Sequence, residues 1–381
     1  MCQFPPYIQW DIFCKVIDNY GDIGVCWRLA RQLANEQKQH IRLWVDDLKA
    51  FEKICPDINP TLSQQQVSNV HIYHWQSRWQ PITPANIIVE AFACELPQDY
   101  IQAMSQTSPP PFWINLEYLT YEHWSLDFHA LPSLQPNQLL KYFFFPGLPE
   151  TGGLIRELNI FEQANDFQNN PIAQQQFLQQ LQINKQHGSV LMLIFSYANH
   201  AIGEWLEMLK QSDQAFHLLI PPTLLCQDIA NYLQIDSDQL IPGYCLQLNK
   251  LTLQTIPFVN QTEFDKLLWC TDYNIIRGED SFVRAQYAGK PILWHIYPQQ
   301  ENSHLIKLEA FLDYYSNDLP SEIQQIIKNW WFAWNNQENL STHWLAYHKH
   351  FSIIKEHAYN WVEKQKTVTD LITKLAKLYK N

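Results

Sequence analysis

Short apolar runs alternate with helical periodicity along most of the chain. Residues 12–17 read as a buried strand, and a helix starting near Asp22 places Val25, Leu29 and Leu33 on one face. A second strand is expected over 41–45, with Asp46 or Asp47 as N-cap of a short helix that ends at Ile54. Further apolar runs at 70–73, 87–92, 112–116 and 139–145 are separated by proline-rich loops around Pro109, Pro132 and Pro136. Strands alternating with helices predict βαβ units and a mainly parallel sheet. Pro146-Gly147 and Gly152-Gly153 break the pattern, and a Gln/Asn-rich stretch with a polar helix over 171–183 follows. The alternation then restarts, with strands over 190–195, 216–220, 251–256, 273–276 and 291–295, and helices over 204–210, 224–233, 262–270 and 281–288. From Glu301 the pattern is helical almost to the end. The expected fold is α/β: two Rossmann-like domains, 1–184 and 185–381, the second closed by a helical C-terminal segment.

Composition narrows the function. Charged residues are only 17% of the 381, and Lys plus Arg number 26 against 38 Asp plus Glu. A net charge of -12 lacks the basic footprint that nucleic acids or anionic membranes select, so neither is expected as a partner. The longest apolar runs fall far short of the ~20 residues that cross a bilayer. The first residues, MCQFPPYIQWD, carry no basic and apolar leader pattern. The eight cysteines are scattered without a C-x-x-C, and several lie in apolar stretches, as reduced buried thiols do. The tripeptides at Asn260 and Asn339 match a glycosylation pattern that has meaning only in a secreted protein. A cytoplasmic protein is expected.

Glycine is the informative count. There are 10 in 381 residues, where average usage is about 7%. Four of them fall in two segments: Gly21 and Gly24 in DNYGDIG, Gly278 and Gly289 in RGEDSFVRAQYAG. DNYGDIG (18–24) lies where the first parallel strand gives way to a helix, and open α/β sheets bind ligands outside the carboxyl ends of their strands. Gly21 is expected to form a tight turn there, with the amides from Asp22 onward facing a bound group. It does not satisfy G-x-G-x-x-G. Two readings are open: Asp18 and Asp22 are working acids, or Asp22 caps the helix and Asp18 merely ends the strand. RGEDSFVRAQ (277–286) repeats the arrangement with a cation before the helix and a hydroxyl at Ser281, a set suited to a diphosphate without metal. Glu279 and Asp280 oppose phosphate and are expected to face elsewhere, toward sugar hydroxyls. The alternative is a capped helix in which Asp280 answers the macrodipole and Arg277 pairs with Glu279.

Other patterns are weaker. Asp236-Ser237-Asp238 matches the D-x-D of metal-dependent glycosyltransferases, but its polar surroundings favour a solvated turn. His343, His348 and His350 lack a metal-ligand spacing, and no G-x-S-x-G or Walker pattern occurs. The C-terminal tryptophans read as packing.

WDIFCKVIDNYGDIGVCWRLARQLA, FSYAN (195–199), PFVNQTEFDKLLW (257–269) and RGEDSFVRAQ together resemble the EarP family, the protein-arginine rhamnosyltransferases that modify translation elongation factor P. The resemblance spans essentially the whole chain. It implies a GT-B glycosyltransferase, two Rossmann-like domains facing a cleft, the first receiving elongation factor P and the second holding dTDP-β-L-rhamnose. It further implies inverting transfer of rhamnose to one loop arginine, activation of that factor for rescue of ribosomes stalled at polyproline, no metal or other cofactor, and a monomer. Carried over by motif, Asp22 is the catalytic carboxylate and Asp18 a second acid of the same loop. Arg277, Glu279, Asp280 and Ser281 fall in the donor diphosphate and sugar site. Phe195, Tyr197, Phe258, Gln261 and Tyr297 fall about nucleoside and phosphates, and Asn19 and Gly21 are counted with the donor-binding positions. Two rivals are a nucleotide-sugar 2-epimerase of the same architecture and a non-enzymatic nucleotide-sugar binding protein. Paired acids after the first strand argue against both.

Overall fold

The computed structural model describes residues 4–17, 20–76 and 79–380. The chain divides into two compact units, Met1–Leu158 with Val368–Asn381, and Asn159–Thr367.

The first unit is built on β1 (Gln9–Cys14), α1 (Gly21–Asn35), β2 (His40–Val45), α2 (Leu48–Ile54), β3 (Gln64–Val67), β4 (Val70–His74) and β5 (Ile87–Ala91). It continues through α3 (Gln98–Ser105), β6 (Phe112–Leu116), α4 (Trp124–Phe128), β7 (Pro132–Leu134) and β8 (Leu140–Phe144). Its sheet runs β3-β4-β2-β1-β5-β6-β8-β7, parallel except for the two short outer strands β3 and β7. The chain builds outward from β1 to β2 and β4, then returns to β5 and builds the other way. The strand order therefore reverses between β1 and β5, the place where such sheets form a ligand crevice.

Mainly apolar runs buried on both faces explain the inner strands, but β1 also carries Asp11, wholly buried among them. Its carboxylate accepts two hydrogen bonds from Arg42, each at 2.6 Å, one from the Trp44 indole at 3.0 Å, and one from the Tyr100 hydroxyl. A buried charge is tolerated only when paired in this way. Asp47, of the two acids proposed as cap, accepts from the Lys49 and Ala50 amides and starts α2.

The second unit opens with α5 (Ile160–Gln168) and α6 (Pro171–Gln180), then β9 (Val190–Phe195), α7 (Ile202–Lys210), β10 (Phe216–Ile220), α8 (Leu225–Leu233), β11 (Cys245–Leu248) and β12 (Leu251–Thr255). There follow α9 (Gln261–Cys270), β13 (Tyr273–Arg277), α10 (Glu279–Gln286), β14 (Ile292–His295), α11 (Ser303–Ser316), α12 (Ser321–Asn336), α13 (Leu340–Lys349) and α14 (Phe351–Thr367). Its sheet is β11-β12-β10-β9-β13-β14, with only β11 antiparallel, and reverses between β9 and β13. Trp205, Trp330, Trp334 and Trp344 are fully buried and pack ring on ring, with centroids 5.2–6.1 Å apart. The C-terminal tryptophans are core.

The expected division at 184/185 falls instead after Leu158. The Phe167 ring lies 5.8 Å from that of Trp269, and the Gln168 amide donates to the Ala288 carbonyl at 2.8 Å, so α5 and α6 belong to the second unit. The last helix, α15 (Leu371–Lys380), returns to the first: the Leu371 amide donates to Leu154 at 2.9 Å and Tyr379 packs near Phe4. Among the described residues no helix is long and apolar enough to cross a membrane.

Candidate active site

In the first unit the chain leaves β1 at Cys14 and enters α1 at Gly21. Asp18 and Asn19 lie outside the described residues. Gly21 and Gly24 both lie within α1. The N-cap position is Tyr20, without a side-chain cap. Asp22 is therefore not the cap. Its buried carboxylate reaches back and accepts the Ile17 amide at 2.7 Å, while Asp46, at the end of β2, accepts the Val16 amide at 2.9 Å. Two acids thus fix the first residues of the loop, and one of them stands in the first turn of α1, where the macrodipole favours an anion. Beside this loop, Lys15, Asp46, Trp75, Trp79 and Glu95 line a cavity of about 320 Å³.

In the second unit the reversal point is occupied by Phe195 and Arg277, the last residues of β9 and β13. The buried Arg277 guanidinium sits 5.0 Å from the centre of the Phe195 ring and 4.7 Å from that of Tyr197. Two aromatic rings at cation–π distance favour and hold the charge at this place. Gly278 follows with φ 72°, a value that glycine adopts without strain, and lets the chain turn directly from β13 into α10. The first turn of α10, which begins two residues after Arg277 and includes Ser281, adds backbone amides and a hydroxyl at the same strand end, an anion-binding combination.

The two acids of this turn are both engaged. Glu279 pairs with Lys307 of α11 at 2.8 Å, not with Arg277. Asp280 accepts from the Gln261 side-chain amide at 2.9 Å, which ties the first turn of α9 to that of α10. One helical turn on, Arg284 forks onto Asp265 at 3.0 and 2.8 Å, a second buried link between the same helices. Asn260 caps α9 in a reciprocal capping box with Glu263, which gives the tripeptide at Asn260 its structural use.

Phe258, half-buried, lies edge-on to Phe195 with centroids 6.4 Å apart, and the exposed Tyr297 lies edge-on to Tyr197 at 5.6 Å. Below Tyr197, the wholly buried His295 is pushed down to about 3 by burial and by the Arg277 charge, and so is neutral. The structure therefore gathers Phe195, Tyr197, Phe258, Arg277 and Tyr297 into one aromatic and cationic cluster. Gln261, Glu279, Asp280 and Ser281 form the helix turns at the same strand ends. Asp236 and Asp238 are exposed, and Asp236 caps a single turn over Ser237–Gln239. His348 stacks on Trp344. Among the described residues no group of three His, Cys, Asp or Glu side chains could hold a metal ion.

Lys307 and Asn335 escaped sequence reasoning. Asn335 accepts the Ile296 amide and donates to the Trp294 carbonyl, each at 3.0 Å, and so holds the backbone leading to Tyr297. Both are polar residues on helical segments far along the chain, and nothing local marks them.

Two parallel-rich units, each carrying its chemistry at a strand-order reversal, define the GT-B class of glycosyltransferase fold. A UDP-glucosyltransferase from Polygonum tinctorium shares that fold over 99% of each chain at a TM-score of 0.51, with 10% identity. Residues 10–380 match the family model described as elongation factor P (EF-P) rhamnosyltransferase EarP, and the chain belongs to this family. The protein-arginine rhamnosyltransferase of Pseudomonas putida is 45% identical over 373 residues, 98% of each chain. A solved structure reported as the structural basis for EarP-mediated arginine glycosylation of translation elongation factor EF-P matches at a TM-score of 0.69 and 33% identity, covering 98% of this chain and 99% of that one. The protein is accordingly a glycosyltransferase, and its family is one of transferases rather than epimerases or passive binders.

Proposed function

We propose that the protein transfers L-rhamnose from dTDP-β-L-rhamnose to an arginine side chain of elongation factor P, with inversion and without a metal. The observation that carries this reading is the stacked Arg277 guanidinium beside the N-terminus of α10. A preoriented cation and a helix terminus stabilise the charge that develops on a departing nucleoside diphosphate. Family membership supports the sugar and the acceptor.

The acceptor sets the other requirement. A guanidinium has a pKa above about 12 and delocalised lone pairs, so it is a poor nucleophile. A carboxylate with an ordinary pKa of about 3.9 cannot deprotonate it in advance. Asp22 accepts hydrogen bonds from the guanidinium, orients one nitrogen, and takes the proton as the C–N bond forms. The Ile17 amide fixes the carboxylate for this task. Asp18 grips the other edge or holds Asp22. The nitrogen attacks the anomeric carbon on the face opposite the dTDP oxygen, the C–O bond breaks, and Arg277 receives the diphosphate. Inversion follows from that geometry. The cell compartment is the cytoplasm, the working form is a monomer, and the modified factor is thereby activated for ribosomes stalled at polyproline.

The test is to incubate the protein with dTDP-rhamnose, with and without elongation factor P and with and without EDTA, and to weigh the products. One deoxyhexose on a single arginine of the factor, formed equally with EDTA, is the expected result. Conversion of the sugar nucleotide without the factor, or a strict need for Mg²⁺ or Mn²⁺, overturns the reading.

A further inference from the structure

The first turn of α10 holds a contradiction. Glu279 and Asp280 are its first two residues, yet this is where the proposed donor places two phosphate charges. An unneutralised carboxylate beside a diphosphate costs affinity through like-charge repulsion. Asp280 is turned into its bond with Gln261. Glu279 is treated differently: Lys307 Nζ lies 2.8 Å from Glu279 Oε1, both side chains are largely shielded, and the same ammonium lies 5.8 Å from the Trp294 ring.

Lys307 is well placed for more than a surface pair. It belongs to α11, the helix that follows the Tyr297 loop, so its bond to Glu279 joins the segment carrying Tyr297 to the start of α10. Shielding from solvent strengthens the pair relative to an exposed one. We propose that Lys307 is a positioning residue for donor binding: by holding and neutralising Glu279 it keeps the start of α10 receptive to the diphosphate. Glu279 keeps its acceptor oxygens for sugar hydroxyls without repelling the phosphates. The inference rests on the donor reading above.

The experiment is calorimetric titration of the full chain with dTDP, with melting curves run alongside. The wild type must bind dTDP; no binding there ends the donor reading itself and is distinguishable from failure of this inference alone. Lys307→Met should weaken dTDP binding about tenfold or more, because it removes the cation that offsets the Glu279 charge beside the phosphates. The double variant Lys307→Met with Glu279→Gln should recover to within about threefold of the wild type. A lysine that serves folding alone predicts instead a lowered melting temperature with dTDP affinity unmoved in the folded protein. Unchanged affinity in Lys307→Met, or a double variant as weak as the single one, overturns the proposal. If Lys307→Met unfolds before titration, Glu279→Gln alone decides. It removes a carboxylate charge beside the phosphates and should tighten dTDP binding, and weaker binding refutes the charge argument.

Discussion

The two units put their candidate groups at the same topological place and give them opposite chemistry. At the β1/β5 reversal the first unit has a buried carboxylate, Asp22, pinned by the Ile17 amide. At the β9/β13 reversal the second has a buried guanidinium, Arg277, pinned by two aromatic rings. In each, the strand end and the following helix N-terminus supply the location. The side chain that the loop delivers supplies the role. A carboxylate suits a cationic acceptor that must lose a proton, and a guanidinium suits an anionic leaving group. The means of fixing differ as well: a backbone amide helps hold the acid, whereas aromatic rings flank the cation.

The largest expected effect tests whether the two roles are separate. Asp22→Asn should lower transfer to elongation factor P by about 10²–10⁴, the usual contribution of a positioned general base. Its affinity for dTDP in calorimetry should match the wild type. A loss of dTDP affinity as large as the loss of rate would merge the two sites into one and break the comparison. Near-normal turnover would remove Asp22 as the base.

Arg277→Lys tests the second half and should act more mildly. Charge is kept, but an ammonium has neither the planar face that stacks on Phe195 and Tyr197 nor the bidentate fork. An affinity loss for dTDP of about ten- to a hundredfold is expected, with the melting temperature within a few degrees of wild type. Full retention of affinity would mean that position 277 contributes charge alone, and stacking would then have no part in the contrast between the units.

What sequence patterning conveyed was local. Strands over 112–116, 190–195 and 216–220 match the structure to the residue, because each is a mainly apolar run, interrupted only by Asn115 and His217, between loop segments. The two glycine-bearing segments at the strand ends were equally legible. Helix α5 was not, since its apolar positions Ile160 and Ala164 are diluted by a Gln/Asn-rich stretch, and the division of the chain was consequently placed too late. The short antiparallel strands β3, β7 and β11 have three or four residues each and little hydrophobic signal. Side-chain partnerships escaped for a different reason. Glu279 with Lys307, Asp280 with Gln261, and Asp22 with the Ile17 amide are settled by which elements pack together. Asp11 did leave a sign, a lone charge in the middle of QWDIFC, which required a buried partner before Arg42 could be identified.

Phe258 carries the smallest effect and the finest test of the comparison. It follows β12 through Ile256-Pro257 and stands edge-on to Phe195, the ring that already carries the Arg277 guanidinium. Were it a core residue, Phe258→Ala would cost about 3–5 kcal/mol of stability and leave affinity intact in whatever remained folded. Half-burial argues otherwise, because part of the side chain remains at the surface of the strand-end cluster. A base stacked on an aromatic ring contributes about 1–3 kcal/mol. Phe258→Ala should therefore weaken dTDP and dTDP-rhamnose by roughly one to two decades while the free protein melts almost as before. Titration with dTDP alongside a melting curve separates the two, since only a collapsed melting temperature with preserved affinity would return Phe258 to the core. Weakened affinity with preserved stability would extend the contrast between the units to the nucleoside: aromatic rings would then hold both the cation and the base in the second unit, while the first works through its carboxylate.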